Sequence, residues 1–153
     1  MGTSTMGKVL VRAKIENVDD LSRAERGEIP NDQVRSVVVD DALVDTGANT
    51  LLLPGRLIQQ LGLKKFKTRQ ARGLGGTVAM PIYSVVRLTI QDRECHLDVG
   101  EVPDDFPVII GQIPLEMLDW VVDPKGQRLI GNPEHGGEHV IEVYRVHEAN
   151  FES

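Results

Sequence analysis

Alternation is the first regularity of this chain. In KVLVRAKIE, residues 8–16, Val9, Val11, Ala13 and Ile15 alternate with Lys8, Arg12, Lys14 and Glu16, which is the period of a half-buried strand; Leu10 breaks the pattern. NVDDLSRAERGEIPND, residues 17–32, is polar and carries Gly27 and Pro30, so it reads as a connection with room for one helical turn. The next strand is QVRSVVV. Asp40 and Asp41 then suit a turn, and ALVD runs apolar into an Asp-Thr-Gly tripeptide.

Beyond Thr50, Leu51 to Leu53 predict a short buried strand, and Pro54 sits where a helix can begin because its missing N–H costs nothing there. Leu57, Ile58 and Leu61 at helical spacing, with Gly62 as a stop, predict a helix of about two turns. KKFKTRQAR and TVAMPIYSVVRLTI flank GLGG as the two arms of a long hairpin. Gln91 and Asp92 turn the chain into RECHLDV, EVPDDFP links to VIIG, and PLEMLDW predicts a short helix beginning near Pro114. WVVD, QRLI and HVIEVYRV are the remaining predicted strands. Many short strands separated by turn signals imply a mainly β, closed or sandwich-like fold.

With 153 residues, 41% of them apolar, the chain can bury one ordinary core. It has room for one domain, expected over 8–147, with residues 1–7 a disordered end and 148–153 a tail. A net charge of −6 and a pI near 5.2 argue against an overall electrostatic grip on nucleic acid or anionic lipid. Cys95 is the single cysteine, which removes an internal disulfide and a cysteine-built zinc site and suits a reducing cytoplasm. No apolar run has the length of a membrane span, and the first residues lack a leader pattern.

The segment LVDTGANTLLLP, residues 43–54, concentrates the chemistry. Asp-Thr-Gly is a common turn tripeptide whose carboxylate accepts local N–H bonds. An acid emerging from Ala42, Leu43 and Val44 is expected near the core, where several donors must meet it. The Thr46 hydroxyl and the N–H groups of Gly47 and Ala48 are the candidates.

From here the sequence resembles the retropepsins, the retroviral-type aspartic proteases, and above all their single-domain cellular and bacterial relatives. The likeness runs in order through ALVDTGANTLLLP, GLGGTV and VIIGQIPLEMLDWVV, and covers roughly residues 33–123. It implies a single-domain acid-protease β fold with one or two short helices, working as a two-fold homodimer on peptide or protein substrates without cofactor or metal. Asp45 would be the catalytic residue, one from each subunit. Thr46, Gly47 and Ala48 would support the active-site loop. Gly73, Leu74, Gly75 and Gly76 would form a substrate-covering flap, although an ordinary glycine hairpin reads the same way. Val108, Ile109, Ile110 and Gly111 would pack beneath the loop. The polar insert 17–32 and the extension beyond Asp123 depart from the retroviral pattern and leave the dimer sheet unassigned. The expected function is therefore an aspartic endopeptidase, the alternative a silent dimer of the same fold that binds peptides or proteins.

Other signals read as structural. The only further Asp-x-Gly, Asp98 to Gly100, lies too close to Asp45 for a second lobe and reads as a strand end. HGGEH, residues 135–139, spells an inverted zinc-peptidase motif, but Pro133, Gly136 and Gly137 are poor helix material. Cys95 and His96 are strand neighbours and point to opposite faces. KKFK reads as a solvated edge, and Trp120 as core.

Overall fold

The computed structural model describes residues 8–73 and 75–143. Strand β1 (Val9–Asn17) leads into helix α1 (Val18–Glu25), a 3-10 turn over Asn31–Gln33, and strand β2 (Ser36–Val44). Then follow β3 (Leu51–Pro54), α2 (Gly55–Leu61), β4 (Lys64–Gly73), β5 (Gly76–Ile90), β6 (Arg93–Val102) and β7 (Ile109–Ile110). Helix α3 (Gln112–Leu118), β8 (Trp120–Asp123), β9 (Arg128–Gly131) and a 3-10 turn over Pro133–His135 complete the order. The fold is mainly β, as the pattern of short strands predicts.

Seven strands form one sheet in the order β1-β2-β7-β3-β6-β5-β4, and β1 also pairs with β5. That extra pairing, Lys14 to Asn17 against Thr89 to Val86, closes six strands into a ring and leaves β4 outside it. Closure removes exposed edges from the ring and gives its inward side chains a common interior. Ile15, Leu51, Leu53, Leu88, Ile90, Val99 and Ile110 fill that interior, with Leu61, Leu115 and Leu118 from the helices. Each such side chain contributes about 1.5–3 kcal/mol through burial.

The polar insert becomes ordered structure. Asn17 caps α1 by accepting the Asp20 N–H at 3.0 Å, and its own Nδ2 donates to the Leu61 carbonyl at 2.8 Å. Asp20 is buried and accepts three bonds from Arg35: one from the main-chain N–H and two from the guanidinium. The Arg35 side-chain bonds, outweighing desolvation, hold its carboxyl below the usual range. The described residues thus contain three short helices where one or two were expected.

Two further expectations need correction. Asp40 and Asp41 do not turn the chain: β2 runs through them, and the β1–β2 register shifts between Val11 paired with Ala42 and Ala13 paired with Val39. The extra residue is absorbed as a bulge beside Arg12, whose guanidinium lies 3.8 Å from Asp40. HVIEVYRV is not a strand over its described part, since residues 139–143 have no regular structure; residues 144–146 lie outside the described residues, as do the expected end 1–7 and tail 148–153. Helix α3 starts at Gln112, slightly before Pro114.

Candidate active site

Asp45 leaves the end of β2 at the point where three strands meet. Strand β7 lies between the strand that enters the Asp-Thr-Gly loop and the strand that leaves it: Leu43 and Val44 pair in parallel with Ile109 and Ile110, while Leu51 and Leu52 pair antiparallel with the same two residues. The main chain stitches this arrangement together. Leu43 N–H donates to the Val108 carbonyl at 2.8 Å and Asp45 N–H to the Ile110 carbonyl at 3.0 Å. Gly111 N–H donates to Thr50 O, and the first turn of α3 completes the clamp, Gln112 N–H to Ala48 O and Ile113 N–H to Asn49 O. Both ends of the loop are therefore fixed by hydrogen bonds that do not depend on its side chains.

The glycine of Val-Ile-Ile-Gly follows from this contact. A Cβ at Gly111 would stand 2.6 Å from the carbonyl oxygens of both Ala48 and Thr50, and backbone cannot yield as a flexible side chain can. Gly47 serves the loop itself: its N–H donates to Asp45 Oδ1 at 2.9 Å, and an added Cβ would lie 3.1 Å from that oxygen. Of the three donors expected from the sequence, this one reaches the carboxylate; Ala48 N–H bonds the Asp45 main-chain carbonyl instead. Asp45 is not held in the core. It is exposed, as are Thr46 and Gly47, while Ala48 is half-buried, so the chain presents its acid outward from a rigid mount.

Gly73 and Gly76 pair across the tip of the β4–β5 hairpin, and Gly76 has φ +103°, a backbone state that suits glycine. Among the described residues nothing lies within 4 Å of a Cβ built on Gly73, Gly75 or Gly76, so packing against them does not explain these glycines. Leu74 lies outside the described residues. The hairpin base is anchored by Met80: its Sδ and a Leu52 methyl fill the space where a Gly100 side chain would go. This packing accounts for Asp98-Val99-Gly100, which sits inside β6 and not at a strand end.

The other signals resolve into structure. Trp120 is buried beneath the Arg93 guanidinium, 3.9 Å from the ring centroid. Arg93 in turn donates to the carbonyls of Leu118, Asp119 and Gly137. His135 lies in a 3-10 turn with Nδ1 2.6 Å from Asp119 Oδ2, whereas His139 Nε2 meets the Met117 carbonyl at 3.0 Å. The two rings thus serve different partners. Cys95 is buried, which pushes its thiol up to about 11, while His96 is exposed on the opposite face. KKFK lies on the outermost strand with every residue exposed. Sequence reasoning missed the part played by the first turn of α3 and the buried Asp119; the glycine directly before α3 was the available signal for the former.

A 370 Å³ cavity between α2, the hairpin base and the loop after β6 is lined by Arg56, Gln59, Tyr83, Glu101 and Asp104, and does not include Asp45. No helix among the described residues is long and apolar enough to cross a membrane. No curated protein matches the chain significantly. The sequence pattern of the aspartyl protease family matches residues 27–113, a span that takes in the Asp45 loop, both arms of the glycine hairpin, and β7 with the first residues of α3. Since that match covers more than half of the chain, the protein belongs to the retropepsin-like aspartyl protease family.

Proposed function

We propose that the protein is an aspartic endopeptidase whose active unit is a two-fold homodimer of the domain spanning 8–147, with Asp45 of each subunit as the catalytic acid and base. The observation that carries this reading is the mounting of Asp45: an exposed carboxylate on a loop clamped from below by β7 and α3, met within its own protomer by the Gly47 N–H. One protomer offers one such acid, and an isologous dimer supplies the second. An unpaired buried Cys95 suits a reducing compartment such as the cytoplasm.

Two carboxylates brought within about 4 Å at an effective dielectric near 20 repel by roughly 4 kcal/mol, so the pair retains one proton over a wide pH range; aspartic protease dyads are themselves the standing example of this effect. The ionised member takes a proton from a water lying between them, and that water attacks the peptide carbonyl. The protonated member stabilises the oxyanion, and a proton then passes to the leaving nitrogen. Thr46 links the two loops, Gly47 and Ala48 shape the cleft floor, Val108 to Gly111 hold it from beneath, and the tip Gly73 to Gly76 closes over substrate and excludes water. The test is digestion of a peptide library by the wild type beside Asp45→Asn. Cleavage by wild type alone is expected, and equal cleavage by both proteins would overturn the reading. Peptide binding without cleavage by either would instead indicate a silent binding dimer.

A further inference from the structure

We infer that the glycine hairpin selects acidic substrates, its outer strand β4 forming a cationic edge that seats the acidic flank of an extended polypeptide. This deepens the endopeptidase reading and rests on it for the word substrate. Residues 46–91 contain seven Lys or Arg and no Asp or Glu, in a chain whose net charge is −6. Five of those cations, Lys64, Lys65, Lys67, Arg69 and Arg72, lie on β4, and all five are exposed. Among the described residues none of the five makes an ion pair, whereas Arg12, Arg23, Arg26, Arg35, Arg87 and Arg128 each face a carboxylate. A charge or two guards a sheet edge against unwanted pairing; five unneutralised cations on an acidic protein exceed that need.

Geometry supplies the second argument. Among the described residues strand β4 ends the sheet, so its outer N–H and C=O groups can receive an extended chain as an added strand. Lys67 and Arg69 stand opposite Ile82 and Met80, and so share the hairpin face from which Met80 reaches Leu52. Leu52 belongs to β3, the strand that leaves the Asp45 loop. A chain seated there meets cations on the side of the hairpin nearest that loop. Lys67 and Arg69, two residues apart on one face of β4, stand within about one screening length of each other, so they attract an acidic flank jointly, while the acidic remainder of the surface repels it. Nucleic acid fits less well: β4 offers only Phe66 as an exposed aromatic on which bases could stack.

The experiment compares peptides sharing one apolar centre but flanked by Glu, by Gln or by Lys. Binding is read by fluorescence anisotropy on full-length Asp45→Asn, and cleavage by wild type is followed in parallel. The Glu-flanked peptide is expected to bind at least about tenfold more tightly than the Lys-flanked one at low salt, with the advantage shrinking as salt rises. Lys67→Gln with Arg69→Gln should reduce that ratio, and Lys67→Arg with Arg69→Lys should restore it, which separates charge from shape. Equal binding of Glu- and Lys-flanked peptides, a ratio unaffected by the Gln pair, or stronger binding of a single-stranded oligonucleotide would overturn the inference. Selective binding with no cleavage by wild type would sustain it and overturn the endopeptidase reading alone.

Discussion

Gly111 and Ala48 are in backbone contact: a Cβ added to Gly111 would stand 2.6 Å from the Ala48 carbonyl oxygen, which also accepts the Gln112 N–H. The loop that carries Asp45 therefore rests on a glycine 63 positions after Ala48. Gly111→Ala should force the two segments apart, at a cost of about 1–3 kcal/mol typical of overpacking. A lowered thermal midpoint with a larger proportional loss of kcat is expected. An unchanged midpoint would show that the contact can relax freely.

The pairing of Asp119 with His135 gives a pH dependence whose sign can be worked out. Hydrogen bonding to Asp119 raises the His135 pKa, with Glu142 adding to it, so this contribution is fully present below the unfolded value of about 6.5 and is lost as pH rises through the higher folded one. Burial opposes ionisation of Asp119, but bonds from His135, the Val140 N–H and Asn132 prevail and hold its carboxyl at about 2. Its contribution is present above the usual carboxylate range and lost as pH falls toward that value. The stability gap between wild type and His135→Gln should be widest at about pH 5 and narrow on going to about pH 9. Melting curves across that range would test it, and a gap that widens with pH would contradict it.

In the proposed homodimer each chain supplies half a site, so activity is expected to depend on concentration. Well below the dimer dissociation constant, the rate should rise as the square of total protomer, and well above it linearly. Excess Asp45→Asn should poison the wild type, because mixed dimers carry one ionisable acid at the centre. Specific activity that survives dilution into the monomeric range, established by sedimentation, would exclude the symmetric mechanism.

Cleavage should withstand a strong chelator and fail with a hydroxyl-bearing peptide isostere that mimics the tetrahedral intermediate. The directions of His135, toward Asp119, and His139, toward the Met117 carbonyl, give no shared point for an ion. Activity lost to chelator and restored by zinc would reverse this expectation.

What could be read from the sequence was what alternation and motif order express. The β1 strand, the α2 helix with its Gly62 stop, the long hairpin, and the sequence of Asp-Thr-Gly, glycine hairpin and Val-Ile-Ile-Gly all appear as expected. Pairings between distant segments were not legible, because β7 has only two residues and its parallel match to β2 leaves no periodic trace. Asp40 and Asp41 misled because paired acids suit a turn, whereas a bulge beside Arg12 hosts them equally well. The exposure of Asp45 was misjudged for a related reason: burial of Ala42 and Val44 says nothing about the residue that follows the last ladder bond. Helix α1 was underestimated although Asn17, Asp19 and Asp20 mark its first turn, since without an apolar stripe its polar sequence reads equally as loop.

Closure of the ring by β1 against β5 divides the longest strand into two parts with different mechanical duties. Its later residues, Val86 to Thr89, are held between β1 and β6, while Gly76 to Pro81 pair, among the described strands, with β4 alone. The hairpin is thus a lever rooted in a wall, free to bend near Ile82 without breaking a bond of the wall itself. Where the hairpin selects substrate as inferred above, exchanging its tip and outer strand between related chains is expected to shift substrate preference with little change in the melting point of the barrel beneath.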